Sequence, residues 1–228
     1  MERTTVAQPF DPKFVTFDCY GTLVWFQISR VTRQVLGDRL PEAIGPAFVE
    51  SFRGYRLDEV LGAWQPYRDV IAAAYRRTCR KFGLEYRDAD ADAIYASIGT
   101  WGPHPDVPAG LARLAERVPL VILSNAADDQ IPANVARLGA PFAHVLTAQQ
   151  AQAYKPRLRP FEYMLDTLGV GPDEIVHVSA SLRYDLMPAY DLGITNKVYV
   201  NRGYEPSTPF YGYREISSIA ELPGLFGL

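Results

Sequence analysis

The segment Phe14–Leu23 reads FVTFDCYGTL, and it predicts the architecture of the rest of the chain. Its first four residues are apolar or β-branched, as expected for a strand that is buried on both faces. A carboxylate, Asp18, comes directly after this run, and a glycine and a threonine follow within four residues. A short buried strand that ends in polar and turn residues is typical of a parallel sheet whose ligands bind beyond the carboxyl ends of its strands.

Four later segments repeat this pattern of a short apolar run followed by a polar or turn residue. They are Leu120–Leu123, His144–Leu146, Ile175–Val178 and Lys197–Val200. Helix-length segments separate the later runs, and both Ile131–Leu138 and Arg159–Leu168 precede a glycine suited to a helix C-cap. This alternation of strands and helices predicts an α/β fold with a Rossmann-like parallel sheet.

The interval between the first two runs is too long for a single crossover connection. It spans about a hundred residues, whereas one crossover needs only a dozen or more. Within it, Ile71, Tyr75 and Cys79 recur every four residues, which is the spacing of a buried helical stripe. A connector rich in proline and glycine follows at 102–108. We therefore predict an inserted helical cap domain at residues 26–105 and a core domain made of residues 1–25 and 106–228.

The composition is that of a compact protein with neither a nucleic-acid nor a membrane partner. The chain has 228 residues, of which 48% are hydrophobic and 21% are charged, and its formal net charge is −3. A slightly acidic chain is poorly suited to bind polyanions. No run approaches the ~18 consecutive apolar residues of a membrane span, and the first ten residues lack the apolar stretch of a signal peptide. Because its two cysteines form no disulfide framework, we expect a cytoplasmic protein.

Side chains that are capable of chemistry follow each of the first four predicted strands. Because the carboxyl ends of parallel strands meet at one edge of a sheet, we expect these side chains to lie close together. They comprise two carboxylates, an ammonium, several hydroxyls and an amide. The residues are Asp18, Cys19, Tyr20 and Thr22 after the first strand, Ser124 and Asn125 after the second, Lys155 after the third, and Ser179, Ser181 and Asp185 after the fourth.

The same four stretches resemble, in the same order, the four motifs of the haloacid dehalogenase superfamily. The motifs correspond to Phe17–Leu23, Ser124–Asn125, Lys155–Pro156 and Ser179–Asp185, and the resemblance covers residues 14–202. It implies a Rossmann-like core with an inserted helical cap, and it implies that Asp18 is the catalytic nucleophile.

Two positions distinguish the phosphatases of this superfamily from its dehalogenases. The phosphatases have a second Asp two residues after the nucleophile, where this chain has Tyr20, and a magnesium-binding Asp at the position of Ala180. Loss of a carboxylate weakens a magnesium site, because this cation requires oxygen ligands. The chain instead resembles the metal-independent L-2-haloacid dehalogenases, which have Tyr-Gly-Thr-Leu after the nucleophile. We therefore expect no metal and no other cofactor.

The resemblance also implies a reaction and a set of roles. In that branch an aspartate displaces halide from C2 of a 2-haloacid, and water then hydrolyses the resulting ester to give a 2-hydroxy acid. An aromatic-Arg pair in the branch's cap corresponds to Phe52-Arg53, so Arg53 is expected to receive the departing halide. The residues expected to orient the nucleophile, to balance its charge or to position water are Thr22, Lys155, Ser179 and Asp185. Those expected to contact substrate or halide are Cys19, Tyr20, Ser124, Asn125 and Ser181.

Two features depart from the branch, and two other functions stay open. Phe161 stands where the branch commonly has a tyrosine, and the fourth motif is one residue longer. One alternative is a hydrolase of the same superfamily that acts on phosphate or phosphonate esters. The other is a catalytically silent member that acts as a binding protein. Because the branch is often dimeric, a homodimer is also among the implied assemblies.

Overall fold

The computed structural model describes residues 8–228, which fold around a six-stranded parallel sheet. The strands are β1 (Phe14–Phe17), β2 (Leu120–Ser124), β3 (His144–Thr147), β4 (Ile175–Ser179), β5 (Asn196–Val200) and β6 (Arg214–Ile216). Their order across the sheet is β3-β2-β1-β4-β5-β6, and every neighbouring pair is parallel. The expected α/β class with a Rossmann-like sheet is thus confirmed. The first seven residues of the predicted core domain lie outside the described part of the chain.

The central position of β1 in the sheet explains why the residues Phe14–Phe17 are almost all apolar. β1 lies between β2 and β4, and the side chains of Val15, Thr16 and Phe17 are all completely buried. Phe17 pairs in register with Ile122 on one side and with Val178 on the other. The three strands therefore end at nearly the same level, and the residues that follow them are brought side by side.

Nine α-helices lie within residues 8–228, and the first four of them lie between β1 and residue 105. These four are α1 (Ile28–Leu36), α2 (Gly45–Leu61), α3 (Tyr67–Phe82) and α4 (Asp88–Ser97). The others are α5 (Val107–Ala115), α6 (Ile131–Val135), α7 (Ala148–Ala151), α8 (Arg159–Leu168) and α9 (Met187–Asp191). The bounds of α8 agree with the sequence prediction, whereas α6 ends three residues before the predicted end. No helix in this part of the chain is both long and apolar enough to cross a lipid bilayer.

Helices α1–α4 form the helical insertion that the sequence predicts. α2 packs along α3, and α3 packs along α4. The ring of Tyr75 on α3 lies 6.3 Å from that of Phe48 and 5.9 Å from that of Phe52, both on α2. The Tyr75 hydroxyl donates to Asp90 on α4, which also forms an ion pair with Arg39. The insertion is thus packed around Tyr75, its buried apolar residues are continuous with those of the sheet, and the boundaries at 26 and 105 stay a proposal.

The segments that enter and leave the insertion are hydrogen-bonded to each other. The backbone N–H of Trp25 donates to the carbonyl of Gly102, and that of His104 donates to the carbonyl of Leu23. The side-chain amide of Asn134 donates to the carbonyl of Trp101 at 2.9 Å. These bonds fix the exit from the insertion beside the loop that follows β1.

Candidate active site

Asp18 lies in a shielded position at the carboxyl end of β1. Only 8% of the residue is exposed. Its Oδ1 accepts a hydrogen bond from Lys155 Nζ at 2.9 Å, and its Oδ2 accepts one from Thr22 Oγ1 at 2.7 Å. The Thr22 hydroxyl oxygen in turn accepts the backbone N–H of Ala180 at 2.8 Å. Both carboxylate oxygens therefore have a donor, and the orientation of the carboxylate is fixed.

A tight turn after β1 brings Thr22 back to Asp18. The backbone N–H groups of Leu23 and Val24 both donate to the carbonyl of Cys19, at 2.8 and 2.9 Å. Gly21 within this turn has a φ of +98°, a conformation that side chains with a Cβ rarely adopt. The Gly-Thr pair of the opening segment thus provides first the turn and then the hydroxyl.

Lys155 is the ammonium at the centre of the site and is only 1% exposed. Its Nζ donates to Asp18 Oδ1, to Asp185 Oδ1 at 2.6 Å and to the carbonyl of Leu123 at 2.8 Å. An ammonium has three donors, so all of its hydrogen-bonding capacity is used. We refer to Asp18, Lys155 and Asp185 as the charged cluster, and the structure brings these three sequence-predicted residues into direct contact.

Asn125 holds the backbone of Lys155 in place. Its Oδ1 accepts the N–H of Lys155 at 2.7 Å, and its Nδ2 donates to the carbonyl of the same residue at 2.9 Å. Lys155 does not follow β3 directly, because α7 and a short turn lie between them. The two hydrogen bonds from Asn125, at the end of β2, therefore fix the backbone of Lys155, which is not attached directly to the end of a strand.

Asp185 is completely buried, and one of its oxygens is held by two groups. Besides the bond from Lys155, Oδ1 lies 3.1 Å from His177 Nε2, and His177 Nδ1 lies 2.8 Å from Thr16 Oγ1. A neutral imidazole satisfies both contacts when Thr16 donates to Nδ1 and Nε2–H donates to Asp185. Oδ2 of Asp185 is buried and has no hydrogen-bond partner within residues 8–228. One oxygen is thus held by two donors, while the other has none within residues 8–228.

His177 is a site residue that sequence reasoning missed. Its position inside the apolar run of β4 predicts only a hydrogen-bonded core residue. The ring of Phe161 lies edge-on to the imidazole, with 5.2 Å between their centroids. The absence of a hydroxyl at Phe161 therefore fits its packing against His177. In the sequence, the one indication that His177 has a role in the site is that a polar residue lies between two valines in a buried strand.

A turn of π-helix absorbs the extra residue of the fourth motif. The turn covers Leu182–Leu186, and it accommodates one residue more than an α-helical turn would. The Ser181 hydroxyl accepts the N–H of Tyr184 at 3.1 Å and donates to Glu205 at 3.1 Å. Ser179 Oγ accepts the N–H of Ser181 at 3.0 Å. The two serines shape this turn, so that Asp185 reaches Lys155 in spite of the longer motif.

Burial and charge shift the pKa values of the charged cluster in different directions. Burial raises the pKa of Asp18 above its ordinary value, although Lys155 and Thr22 oppose this rise. Burial also acts to raise the pKa of Asp185, but Lys155 and His177 outweigh it and hold this pKa below its ordinary value. For Lys155 burial lowers the pKa, but the two carboxylates outweigh burial and raise it. The lysine therefore keeps its charge at neutral pH.

Three further donors lie unused at the ends of β1 and β2. The Ser124 hydroxyl is buried and has no hydrogen-bond partner in the described part of the chain. Within residues 8–228 the backbone N–H groups of Cys19 and Tyr20 also lack an acceptor. Because Val15, Thr16 and Phe17 pair with Leu120, Val121 and Ile122, the continuing register places Cys19 beside Ser124. The three donors can bind a small carboxylate.

The side chains of Cys19 and Tyr20 have other surroundings. The Cys19 thiol is completely buried, and burial raises its pKa, which keeps the thiol protonated. The Tyr20 hydroxyl donates to Asn134 Oδ1 at 2.9 Å. The expected contribution of these two residues to ligand binding is therefore available only from their backbone N–H groups.

The structure does not bring Arg53 to the charged cluster. Its side chain is 51% exposed, and its Nε and Nη2 bond to the carboxylate of Glu50 at 3.0 to 3.2 Å. The reason is the phase of the helix, because the buried positions of α2 recur every four residues and position 53 is not among them. Arg56, by contrast, occupies a buried position of the same helix.

The residues around Asp18 do not fit the magnesium site of the phosphatases. Ala180 replaces the carboxylate ligand, and its backbone N–H is directed to Thr22. Both oxygens of Asp18 are already bonded to protein donors. In the part of the chain that the structure describes, no group of three or more His, Cys, Asp or Glu residues is arranged to hold a metal ion.

Comparison with known proteins finds relatives along most of the chain. A family model described as haloacid dehalogenase-like hydrolase matches residues 12–193. The (S)-2-haloacid dehalogenase 4A of Burkholderia cepacia is 30% identical over 216 residues, which cover 90% of this chain and 91% of the relative. The (S)-2-haloacid dehalogenase of Pseudomonas sp. strain YL is 26% identical over 223 residues, which cover 92% and 94% of the two chains.

A solved structure shows the same fold. The L-2-haloacid dehalogenase from Xanthobacter autotrophicus, with chloropropionic acid covalently bound, superposes with a TM-score of 0.75 at 24% identity. The match covers 94% of this chain and 98% of that one. The sheet and the helical insertion are therefore a shared architecture.

The Thr22 hydroxyl is predicted to set the pKa of Asp18. In Thr22→Val the carboxylate loses a donor that lowers its pKa, so the titration midpoint of Asp18 should rise. Thr22→Ser keeps the hydroxyl and should leave the midpoint nearly unchanged. Carboxyl ¹³C NMR measures both midpoints, and equal shifts in the two variants would contradict the prediction.

His177 is predicted to stabilise the ionised form of Asp185. His177→Phe should lower the free energy of unfolding at pH 7 by about 1–3 kcal/mol, because Asp185 loses a donor. Because the pKa of Asp185 is lowered in the folded state, its ionised form stabilises the fold at pH values above its pKa in the unfolded chain, about 3.9. This contribution is lost as the pH falls through the lower pKa of the folded state. The loss caused by His177→Phe should therefore shrink below about pH 4.

Urea unfolding at pH 7 and at low pH tests this expectation. His144→Phe, at an exposed histidine, is the control and should show little loss at either pH. A destabilisation by His177→Phe that is the same at both pH values would mean that the histidine acts through packing alone.

Proposed function

Because the chain belongs to the haloacid dehalogenase-like hydrolase family, we propose that it removes halide from short 2-haloalkanoic acids without a metal. The reaction would pass through an aspartyl ester and give 2-hydroxy acids. The observation that carries the proposal is the charged cluster, in which a desolvated Asp18 is held by Lys155 while Tyr20 and Ala180 replace the acid and the metal ligand of the phosphatases. The two relatives described above are named as dehalogenases and span nine-tenths of the chain.

The first step is a displacement at carbon. A carboxylate oxygen of Asp18 forms a bond to C2 of the substrate, and the bond between C2 and the halogen breaks with its electron pair leaving on the halide. No proton moves in this step. Covalent catalysis of this kind divides a difficult displacement by water into two easier steps. Thr22 and Lys155 fix the carboxylate, and burial strips it of the water that would otherwise weaken its attack.

The unused donors at the ends of β1 and β2 suit the substrate carboxylate. Ser124 Oγ and the N–H groups of Cys19 and Tyr20 would hold it beside Asp18. Two of the three donors belong to the backbone, so they are fixed before the ligand arrives and cost no reorganisation. This arrangement would select short acids that carry the leaving group on the carbon next to the carboxylate.

The second step is hydrolysis of the ester at the Asp18 carbonyl. Water adds to Cγ of Asp18, and Oδ2 of Asp185, which is unpartnered within residues 8–228, accepts a proton from it. Collapse of the adduct expels the 2-hydroxy acid as an alkoxide, which takes up the proton from Asp185, and the Asp18 carboxyl then ionises. Because the bond from C2 to oxygen is kept, the product has the configuration inverted by the first step. The partners are thus a small haloacid and its halide, and the proposal includes the cytoplasmic location and the homodimer implied above.

Halide release from a panel of L- and D-2-haloacids, with a chelator present, tests the proposed function. We expect release from L-2-chloropropionate that the chelator does not affect. Asp18→Asn should reduce the rate by at least about 10³-fold, because an amide is no nucleophile at this carbon. Asp166→Asn, at an exposed aspartate on α8, is the matched control and should retain the wild-type rate.

The panel also separates the two other functions. Hydrolysis of phosphate esters that requires magnesium, without halide release, would replace the proposal by the ester hydrolase. The absence of any turnover would favour a silent binding protein.

A further inference from the structure

Arg56 lies on the buried face of α2, one residue after Tyr55 and one helical turn after Phe52. The buried positions of this helix include Phe48, Phe52, Arg56 and Val60, each four residues from the next. Arg56 is 7% exposed, whereas the Arg53 side chain is 51% exposed and paired with Glu50. Of the two arginines in this part of the insertion, Arg56 is therefore the one that faces inward.

The guanidinium of Arg56 contacts two aromatic rings but no acid. Its Cζ lies 5.3 Å from the ring centroid of Phe26 and 5.1 Å from that of Phe52. Its Nε is buried without a hydrogen-bond partner, and within residues 8–228 the side chain takes part in no ion pair. Contact between a cation and aromatic rings offsets only part of the cost of burying a charge. A guanidinium in this state is suited to receive an anion.

On one side, the surroundings of Arg56 lead to the nucleophile. The ring of Phe26 packs edge-on against Trp101, with 5.6 Å between the centroids. Trp101 packs edge-on against Tyr20 at 5.8 Å, and Tyr20 is two residues from Asp18. An aromatic wall thus connects the buried face of α2 with the loop after β1.

On the other side, the surroundings lead to the remaining two members of the charged cluster. Val60, one turn beyond Arg56, belongs to an apolar cluster with Tyr154 and Tyr184. These two tyrosines directly precede the lysine and the second aspartate of the charged cluster. Arg56 is therefore flanked on both sides by segments that carry the charged cluster.

We propose that Arg56, rather than Arg53, is the residue of the helical insertion that receives the departing halide. This inference rests on the proposed dehalogenation. An in-line displacement expels the halide on the side of C2 opposite to Asp18, and the insertion follows directly after the loop that carries Asp18. The substrate carboxylate already has donors at the ends of β1 and β2. The weakly hydrated edge of a guanidinium that is packed against Phe26 and Phe52 then offers N–H donors to the halide.

Two measurements on Arg56→Gln, Arg56→Lys and Arg53→Gln test the assignment. The first is a calorimetric titration of the protein with sodium bromide in the absence of substrate. The second is kcat/KM for 2-chloropropionate and for 2-bromopropionate. Arg80→Gln, at an exposed arginine on α3, is a control for the loss of one positive charge. Circular dichroism and the thermal midpoint report whether each variant is folded.

Arg56→Gln should abolish bromide binding and lower kcat/KM for the chloro acid by about 10²–10³-fold, the usual effect of removing one donor to a developing anion. The loss should be smaller for the bromo acid, because bromide leaves more readily, and a purely structural role would not change this ratio. Arg56→Lys keeps the charge and should recover part of both signals. Arg53→Gln should affect neither signal by more than a few fold, since its partner is Glu50 on the surface.

The outcomes separate this inference from the proposed function. Wild-type dehalogenation together with unchanged bromide affinity and halogen ratio in Arg56→Gln would overturn the role of Arg56 alone. The role of Arg56 would also be overturned if Arg53→Gln, and not Arg56→Gln, lost bromide binding and kcat/KM. If the wild type releases no halide from any haloacid but binds bromide only when Arg56 is present, the anion site stands and the proposed function fails. If Arg56→Gln does not fold, Arg56→Lys decides through the same two readouts.

Discussion

The burial of one ammonium between two carboxylates is the interaction on which the rest of this structure depends. Lys155 is almost completely enclosed, and its three donors bind Asp18, Asp185 and a carbonyl at the end of β2. A buried charge is tolerated only when it is paired and hydrogen-bonded, and loss of one partner costs about 3–5 kcal/mol. With two carboxylates and one ammonium, the cluster needs further donors, which Thr22 and His177 provide.

The parallel sheet makes this cluster geometrically feasible. Because β1, β2 and β4 are in register, the residues that follow them lie at one edge. Local structure then positions each side chain of the site. A tight turn with Gly21 positions Thr22, the side-chain amide of Asn125 holds Lys155, which follows β3 and α7, and a π-helical turn positions Asp185. The helical insertion adds the groups that a sheet edge lacks, namely the aromatic wall and the guanidinium of Arg56.

Much of this arrangement could be predicted from the sequence, because it depends on apolar periodicity and on the order of the motifs. The strand β6 could not, since Arg214–Ile216 is short and two of its three residues are charged. The contact of His177 with Asp185, eight residues later, depends on the π-helical turn after β4, which the apolar pattern of the strand does not indicate. The exposed position of Arg53 follows from the phase of α2. The aromatic-Arg pair Phe52-Arg53 indicates the correct helix but not the face of that helix that is buried. The four-residue spacing of buried positions, counted from Phe52, indicates Arg56.

The central claim is that the Asp18 carboxylate becomes covalently bonded to the substrate carbon and is regenerated by attack of water on its own carbonyl. A single turnover in H₂¹⁸O, with enzyme in excess over 2-chloropropionate, tests this claim most directly. The account predicts that mass spectrometry finds the label in the peptide that contains Asp18, and that the 2-hydroxy acid formed in that turnover is unlabelled. Label in the 2-hydroxy acid, with Asp18 unlabelled, would show that water attacks C2 directly and would contradict the account.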